Sequence, residues 1–290
     1  MNLTTTNTSL RSAFAGDPEE STAATMESTE VVESGQPRTA HAPIPFRTIV
    51  GVELRKMFDT RSGFWLMIGI AAAGVLATTA VVLFAGNEDL TYDSFAGAIG
   101  VPMTILLPVL AILSVTGEWS QRAGLTTFTL VPHRGRVIRA KMTVTVLAGL
   151  TSMALALAIG ALGNIVGTGL TGQVTVWDLS PTAIAYIVGA DLIGMVVGFM
   201  LGVVMRNSAA AIVSYFSYWF VVPTLSMVLA ANQAWFEKAQ PWVDFSFNQN
   251  RMYDGSFTGQ DWVQLATTGA AWLILPLAIG LWRVMRAEVK

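Results

Sequence analysis

The sequence has no cysteine among its 290 residues, which excludes a disulfide framework, a thiolate zinc site, an iron–sulfur cluster and a cysteine nucleophile. Histidine is almost as scarce. His41 and His133 stand far apart and form no metal-ligand pair. The lysines are Lys56, Lys141, Lys238 and Lys290, and none follows a glycine. A phosphate-binding loop ending in Gly-Lys-Ser/Thr is therefore impossible in this chain. No His-Glu-x-x-His or Gly-x-Ser-x-Gly run occurs, so hydrolase chemistry has no footing. The remaining shortage is charge. Asp, Glu, Lys and Arg make up 12% of the residues, against roughly 25% in a soluble domain. With 53% hydrophobic residues and a mean hydropathy of +0.55, neither a soluble enzyme nor a disordered chain fits. The composition is that of an integral membrane protein.

What charge there is falls unevenly. Residues 1–45 carry two arginines against six acids, a net −4, and the remainder is +2. This leader is rich in Ser, Thr, Glu and Pro, buries too little apolar surface to offset its ordering entropy, and is expected to be a disordered cytoplasmic tail. It lacks the basic start and apolar run of a secretory signal. From Gly63 onward the chain offers six apolar stretches, 63–86, 95–117, 142–167, 181–205, 209–230 and 262–282. Each reaches the about 20 residues that a helix needs to cross a hydrocarbon layer roughly 30 Å thick. Helices are the choice because lipid offers no partner to a free backbone group. With both termini cytoplasmic, thirteen Lys and Arg residues from Arg47 onward lie inside and only Lys238 and Arg251 outside. That bias fixes the expected orientation. Only Arg206, Asn207 and Ser208 separate the fourth and fifth stretches, so a tight hairpin is expected there.

Two cytoplasmic segments carry more than topology. Ahead of the first span, Phe46, Ile49, Val50, Leu54 and Met57 share one side of a helix over 46–59, with Arg55, Lys56 and Asp59 opposite. This is the pattern of a helix lying in the inner membrane interface. Glu53 falls on its apolar side and needs a cationic partner, either Lys56 or a residue elsewhere. The second segment, Gly117 to Lys141, starts with the acid Glu118 at the membrane exit. It passes through a short stretch in which Leu125, Phe128 and Leu130 share a side, stops at Pro132, and becomes basic through Arg134, Arg136, Arg139 and Lys141. Pro132 ends any helix before it, since its ring cannot continue the hydrogen-bond ladder.

With these segments in view, residues 46–290 resemble the type-2 membrane permeases of ATP-binding-cassette (ABC) transporters, most of them bacterial exporters. The likeness rests on Glu53-Leu54-Arg55-Lys56 before span one, the six spans, and the order Glu118, Gly124, Leu130-Val131-Pro132, Arg134 and Lys141. The chain departs from the pattern at Leu125, where many members have threonine after the glycine. The resemblance implies an all-α polytopic bundle in the bacterial plasma membrane, paired with a second permease copy. It also implies a cytoplasmic ATPase subunit, which binds Mg-ATP in place of any cofactor here, contacted by Glu53, Arg55, Lys56, Glu118, Arg122, Leu125, Phe128, Pro132, Arg134, Arg136 and Lys141. The substrate it implies is amphipathic (a drug, peptide antibiotic or lipid) and is moved outward. No nucleic-acid partner is expected.

Within the spans Asp191 is the lone acid, and an intramembrane carboxylate is a functional candidate by default. It admits two roles, a proton or cation site or a hydrogen-bonded structural acid. Ala190, Gly194, Gly198 and Gly202 recur every four residues, a smooth strip against which another helix can pack. Intramolecular packing is the plainer use and a homodimer contact the other. Pro102, Pro108, Pro223 and Pro276 each free a backbone carbonyl inside a span. Aromatic residues from Trp235 to Trp262 predict short helices dipping into the outer interface. Two alternatives to the ABC reading are an ion- or proton-coupled secondary transporter using Asp191, and a membrane scaffold that transports nothing.

Overall fold

The computed structural model describes residues 44–59, 61–120 and 134–286. The expected tail up to Pro43, and Arg122, Leu125, Phe128 and Pro132, lie outside them. The described residues form an all-α, multi-pass bundle whose strand content is one isolated bridge, Thr91 to Val176. Helix α1 (Phe46–Asp59) precedes α2 (Arg61–Phe84), α3 (Tyr92–Ser120), α4 (Arg134–Thr171) and α5 (Pro181–Met205). The fifth crossing joins α6 (Ser208–Phe216) to α7 (Val222–Asn232) through a π-turn at Ser217–Val221. Short helices α8 (Ala234–Val243) and α9 (Phe245–Asn250) and a 3₁₀ turn follow, before α10 (Gly259–Gly269) and α11 (Leu275–Arg286), joined by a π-turn at Ala270–Ile274. Six stretches are long and apolar enough to cross a membrane, matching the six expected positions.

The boundaries move most at the third. The basic run from Arg134 to Lys141 was expected to lead into this span as loop, but it is helical and continuous with it. Likewise Glu118 to Ser120 complete α3. The segment between the two helices thus shrinks to residues 121–133. At ~1.5 Å per residue, the 38 residues of α4 run about 57 Å, far beyond the hydrocarbon layer. Hydropathy marks only the lipid-soluble part of such a helix.

Helices α3 and α5 form the centre. Of the most apolar window of the fourth span 56% is buried, against 11% for the first and fifth. Those outer helices leave apolar faces open to lipid or to a second chain. The glycine strip of α5 lies on α3: a Cβ at Gly198 would stand 2.6 Å from the carbonyl oxygen of Pro108, and one at Gly202 3.3 Å from that of Ile112. The core around this seam holds Ile99, Met103, Leu107, Met195 and Phe199.

The prolines have specific consequences. Pro108 has no N–H to give the carbonyl of Thr104, four residues back. The buried hydroxyl of Tyr215 donates to that oxygen instead, at 2.6 Å. Tyr215→Phe leaves the carbonyl unpaired and is expected to cost about 1–3 kcal/mol, read as an earlier unfolding midpoint in an SDS titration. Pro223 and Pro276 each follow a π-turn by two residues. In both cases the residue just before the proline bonds five residues back, Val222 N–H to Ser217 and Leu275 N–H to Ala270. The wider turn accommodates the ring that would clash with a tighter one. At the C-terminal end of α5, Arg206 takes the left-handed conformation (φ 53°) and its N–H closes on the Gly202 carbonyl. Asn207 then caps α6 through Ala210 N–H at 3.0 Å, completing the expected hairpin with only Arg206 and Asn207 between the helices.

Candidate functional site

At one end of the bundle the buried stripe of α1 is Ile49, Glu53 and Met57. Spacings of four place these on one side of a helix, and that side packs on α4 and α2. Part of the apolar face therefore meets protein where acyl chains were expected, while Phe46, Val52 and Leu54 remain exposed. Glu53, 5% exposed, receives the Lys141 ammonium at 2.5 Å on one oxygen and the Lys56 ammonium at 2.9 Å on the other. Both partners that the sequence allowed are in use. Lys141 also donates to the carbonyl of Ser114, 3.3 Å away near the end of α3. One buried ammonium thus ties α1, the exit of span two and the entry of span three. Burial alone would raise the Glu53 pKa, but the two lysines outweigh it and hold the carboxyl below its ordinary 4.5.

The other expected coupling residues among the described ones lie on the same three helices. Arg55 is exposed on α1. Arg136, two residues into α4, donates to the carbonyl of Ile44 at 2.7 Å, pinning the chain just before α1. Glu118 and Arg134 sit at the facing ends of α3 and α4. The clasp therefore brackets residues 121–133 from both sides.

A second polar cluster occupies the opposite end. Asp191, 2% exposed, accepts from the Tyr253 hydroxyl at 3.0 Å. Its other oxygen has no hydrogen-bond partner among the described residues. Burial, and then the neighbouring Asp191 carboxylate, push the Tyr253 phenol above its ordinary 10, so it stays a donor. Gln249 donates to the Ala190 carbonyl at 2.9 Å and accepts from Tyr218 at 2.6 Å. Gly194 leaves room for it, since a Cβ there would lie 3.2 Å from the Gln249 amide nitrogen. Together Tyr253 and Gln249 latch the short outer helices onto α5. Arg251 pairs with Asp261, which also closes a capping box on Thr258 at the start of α10. At the same end, the Asp93 N–H donates to Asp178 at 2.9 Å; slight burial raises that carboxyl's pKa, and the hydrogen bonds it accepts win and lower it.

Of these residues the charge pattern marks only Arg251, as an outer charge, and nothing in the sequence singles out Asp244, Asp261, Gln249 or Tyr218. Their partners lie up to 59 residues away, and no periodicity links them. The one available signal was Asp191 itself, a buried acid that required a donor. The sequence matches no known protein-family model and no curated protein.

Proposed function

We propose that this chain is the membrane-spanning permease subunit of a type-2 ABC exporter, working as a pair with ATPase subunits bound on the cytoplasmic side. Support for the reading comes from one arrangement: the Lys141 ammonium joins Glu53 of α1 to the Ser114 carbonyl of α3 at the base of α4. By the family resemblance the ATPase contact lies in residues 121–133, which come between α3 and α4 in the sequence. In this reading a push on that segment moves α1 and two spans together, because a short ion pair in buried surroundings yields less than a screened surface pair. Helix α3 leads directly to the α5 seam, so the displacement enters the centre of the bundle. ATP binding and hydrolysis then switch the paired bundles between inward- and outward-facing states and release an amphipathic substrate outward.

Affinity purification from the native membrane tests this. An ATP-hydrolysing subunit is expected in equal amount. Arg134→Glu is expected to lower substrate-stimulated ATPase activity at least tenfold while the chain still inserts. Transport by the purified chain in proteoliposomes without nucleotide would overturn the reading. The secondary-transport alternative draws on the unpartnered Asp191 oxygen, and Asp191→Asn separates the two. Transport that survives this substitution leaves the acid a structural latch; transport that vanishes while the fold persists favours the alternative.

A further inference from the structure

A cleft of about 700 Å³ opens between spans four, five and six and the short outer helix α8. Its volume falls within the range of small-molecule sites. Both π-turns face it, Ser217 and Tyr218 from one and Trp272 from the other. The two places where the helices are distorted ahead of a proline therefore shape a single concavity. Its rim is apolar and open: Val213 is 65% exposed and Leu225 64%. No lysine or arginine lines it.

One acid stands in this apolar wall. Asp244 is 8% exposed and caps α9, one oxygen accepting from the Phe247 N–H at 3.0 Å and the Ser246 hydroxyl at 2.6 Å. The other oxygen is buried and has no partner among the described residues. A carboxylate oxygen in such surroundings is costly unless a donor meets it, and Asp244 is one of the residues that line the cleft. We infer that the cleft binds drug-sized amphipathic amines, with the ammonium on the free Asp244 oxygen and the apolar body along Val213, Leu225 and Trp272. A neutral molecule of the same shape gains the apolar contact and leaves the oxygen unmet, so the site discriminates by charge. As the substrate site of an exporter this rests on the reading above; as a binding site it needs no ATPase.

Monodansylcadaverine, a primary amine on a fluorescent aromatic body, and its neutral N-acetyl derivative supply the test. The full-length chain is placed in phosphatidylcholine nanodiscs, whose zwitterionic surface does not concentrate the cation, and dansyl emission is compared with empty discs. The wild type is expected to bind the amine saturably and at least tenfold more tightly than the acetylated form. Asp244→Asn keeps the helix cap, because Asn serves that position as well as Asp, and is expected to bring the two affinities within twofold. Leu225→Trp fills the cleft from an exposed position and is expected to weaken both at least fivefold. Equal binding of the two compounds by the wild type overturns the inference without any variant. So does a preference that survives Asp244→Asn, or binding that ignores Leu225→Trp. Failure to recover an ATPase partner leaves these titrations unchanged, so the two conclusions stand or fall separately.

Discussion

Glu53→Gln is expected to cost about 3–5 kcal/mol of stability, the range for removing one partner of a buried ion pair. The loss comes mainly from what is left behind. The Lys141 side chain is 9% exposed, and without the Glu53 carboxylate its ammonium loses an opposing charge held at 2.5 Å inside the bundle. Lys56→Ala removes the other half of the clasp at far smaller cost, about 0–1 kcal/mol, because that side chain is 43% exposed and screened. Replacing both Glu53 and Lys141 with apolar residues is expected to recover most of the single-variant loss, since a well-packed apolar pair is often neutral or better. SDS titrations of the wild type, the singles and the double give the coupling directly. Acid supplies a second readout. Folding lowers the Glu53 pKa from 4.5, so its contribution is complete above that value and fades as pH falls below it towards the folded-state value. Glu53→Gln should flatten this part of the stability profile. If the apolar double variant is as stable as the wild type yet uncouples ATPase stimulation, the pair transmits motion as well as holding the fold.

Features set by a single residue's chemistry were legible before the structure. Six spans follow from apolar runs bounded by charge, and the 46–59 helix appears with the same ends. The acid on its apolar side demanded a cation and has two. What hydropathy cannot separate is lipid from protein, since both accept an apolar side chain on similar terms. The stripe of Ile49 and Met57 therefore read as membrane-facing although it packs inward. Charge had the opposite effect at Arg134 to Lys141, where the basic run concealed a helix that had left the hydrocarbon layer and not yet ended. The outer latch was hidden for a third reason. Gln249 and Tyr218 are ordinary polar residues in sequence, and only the docking of α9 beside Ala190 buries Gln249 and brings the half-buried Tyr218 onto it. The prolines fall between these cases. Their freed carbonyls were predictable, but the donor from Tyr215 comes from a neighbour distant in the chain.

The glycine strip leads to the other large expected effect, and its size depends on what each missing side chain would meet. At Gly198 an added Cβ falls 2.6 Å from the Pro108 carbonyl oxygen and 3.0 Å from its Cα. Backbone cannot turn aside as a side chain does, and the Tyr215 hydroxyl anchors this part of α3 four residues earlier, at Thr104. Gly198→Val is therefore expected to exceed the usual 1–3 kcal/mol of overpacking, and to leave little folded protein in detergent. Gly202→Ala meets the Ile112 carbonyl at 3.3 Å, a contact that a few tenths of an ångström relieves, so a loss of about 1 kcal/mol is expected. Gly194→Ala meets the amide end of Gln249 at 3.2 Å, and strains the outer latch more than the seam. Gly97→Ala is the control, because nothing lies within 4 Å of its Cβ position. There the lost backbone freedom of the unfolded chain should raise stability by about 0.5–1 kcal/mol. This order, from collapse at Gly198 to a gain at Gly97, separates a seam inside one chain from a strip reserved for a second copy. A strip between copies would leave the folded monomer intact on Gly198→Val and change only its mass in light scattering. A seam between α3 and α5 loses the monomer itself.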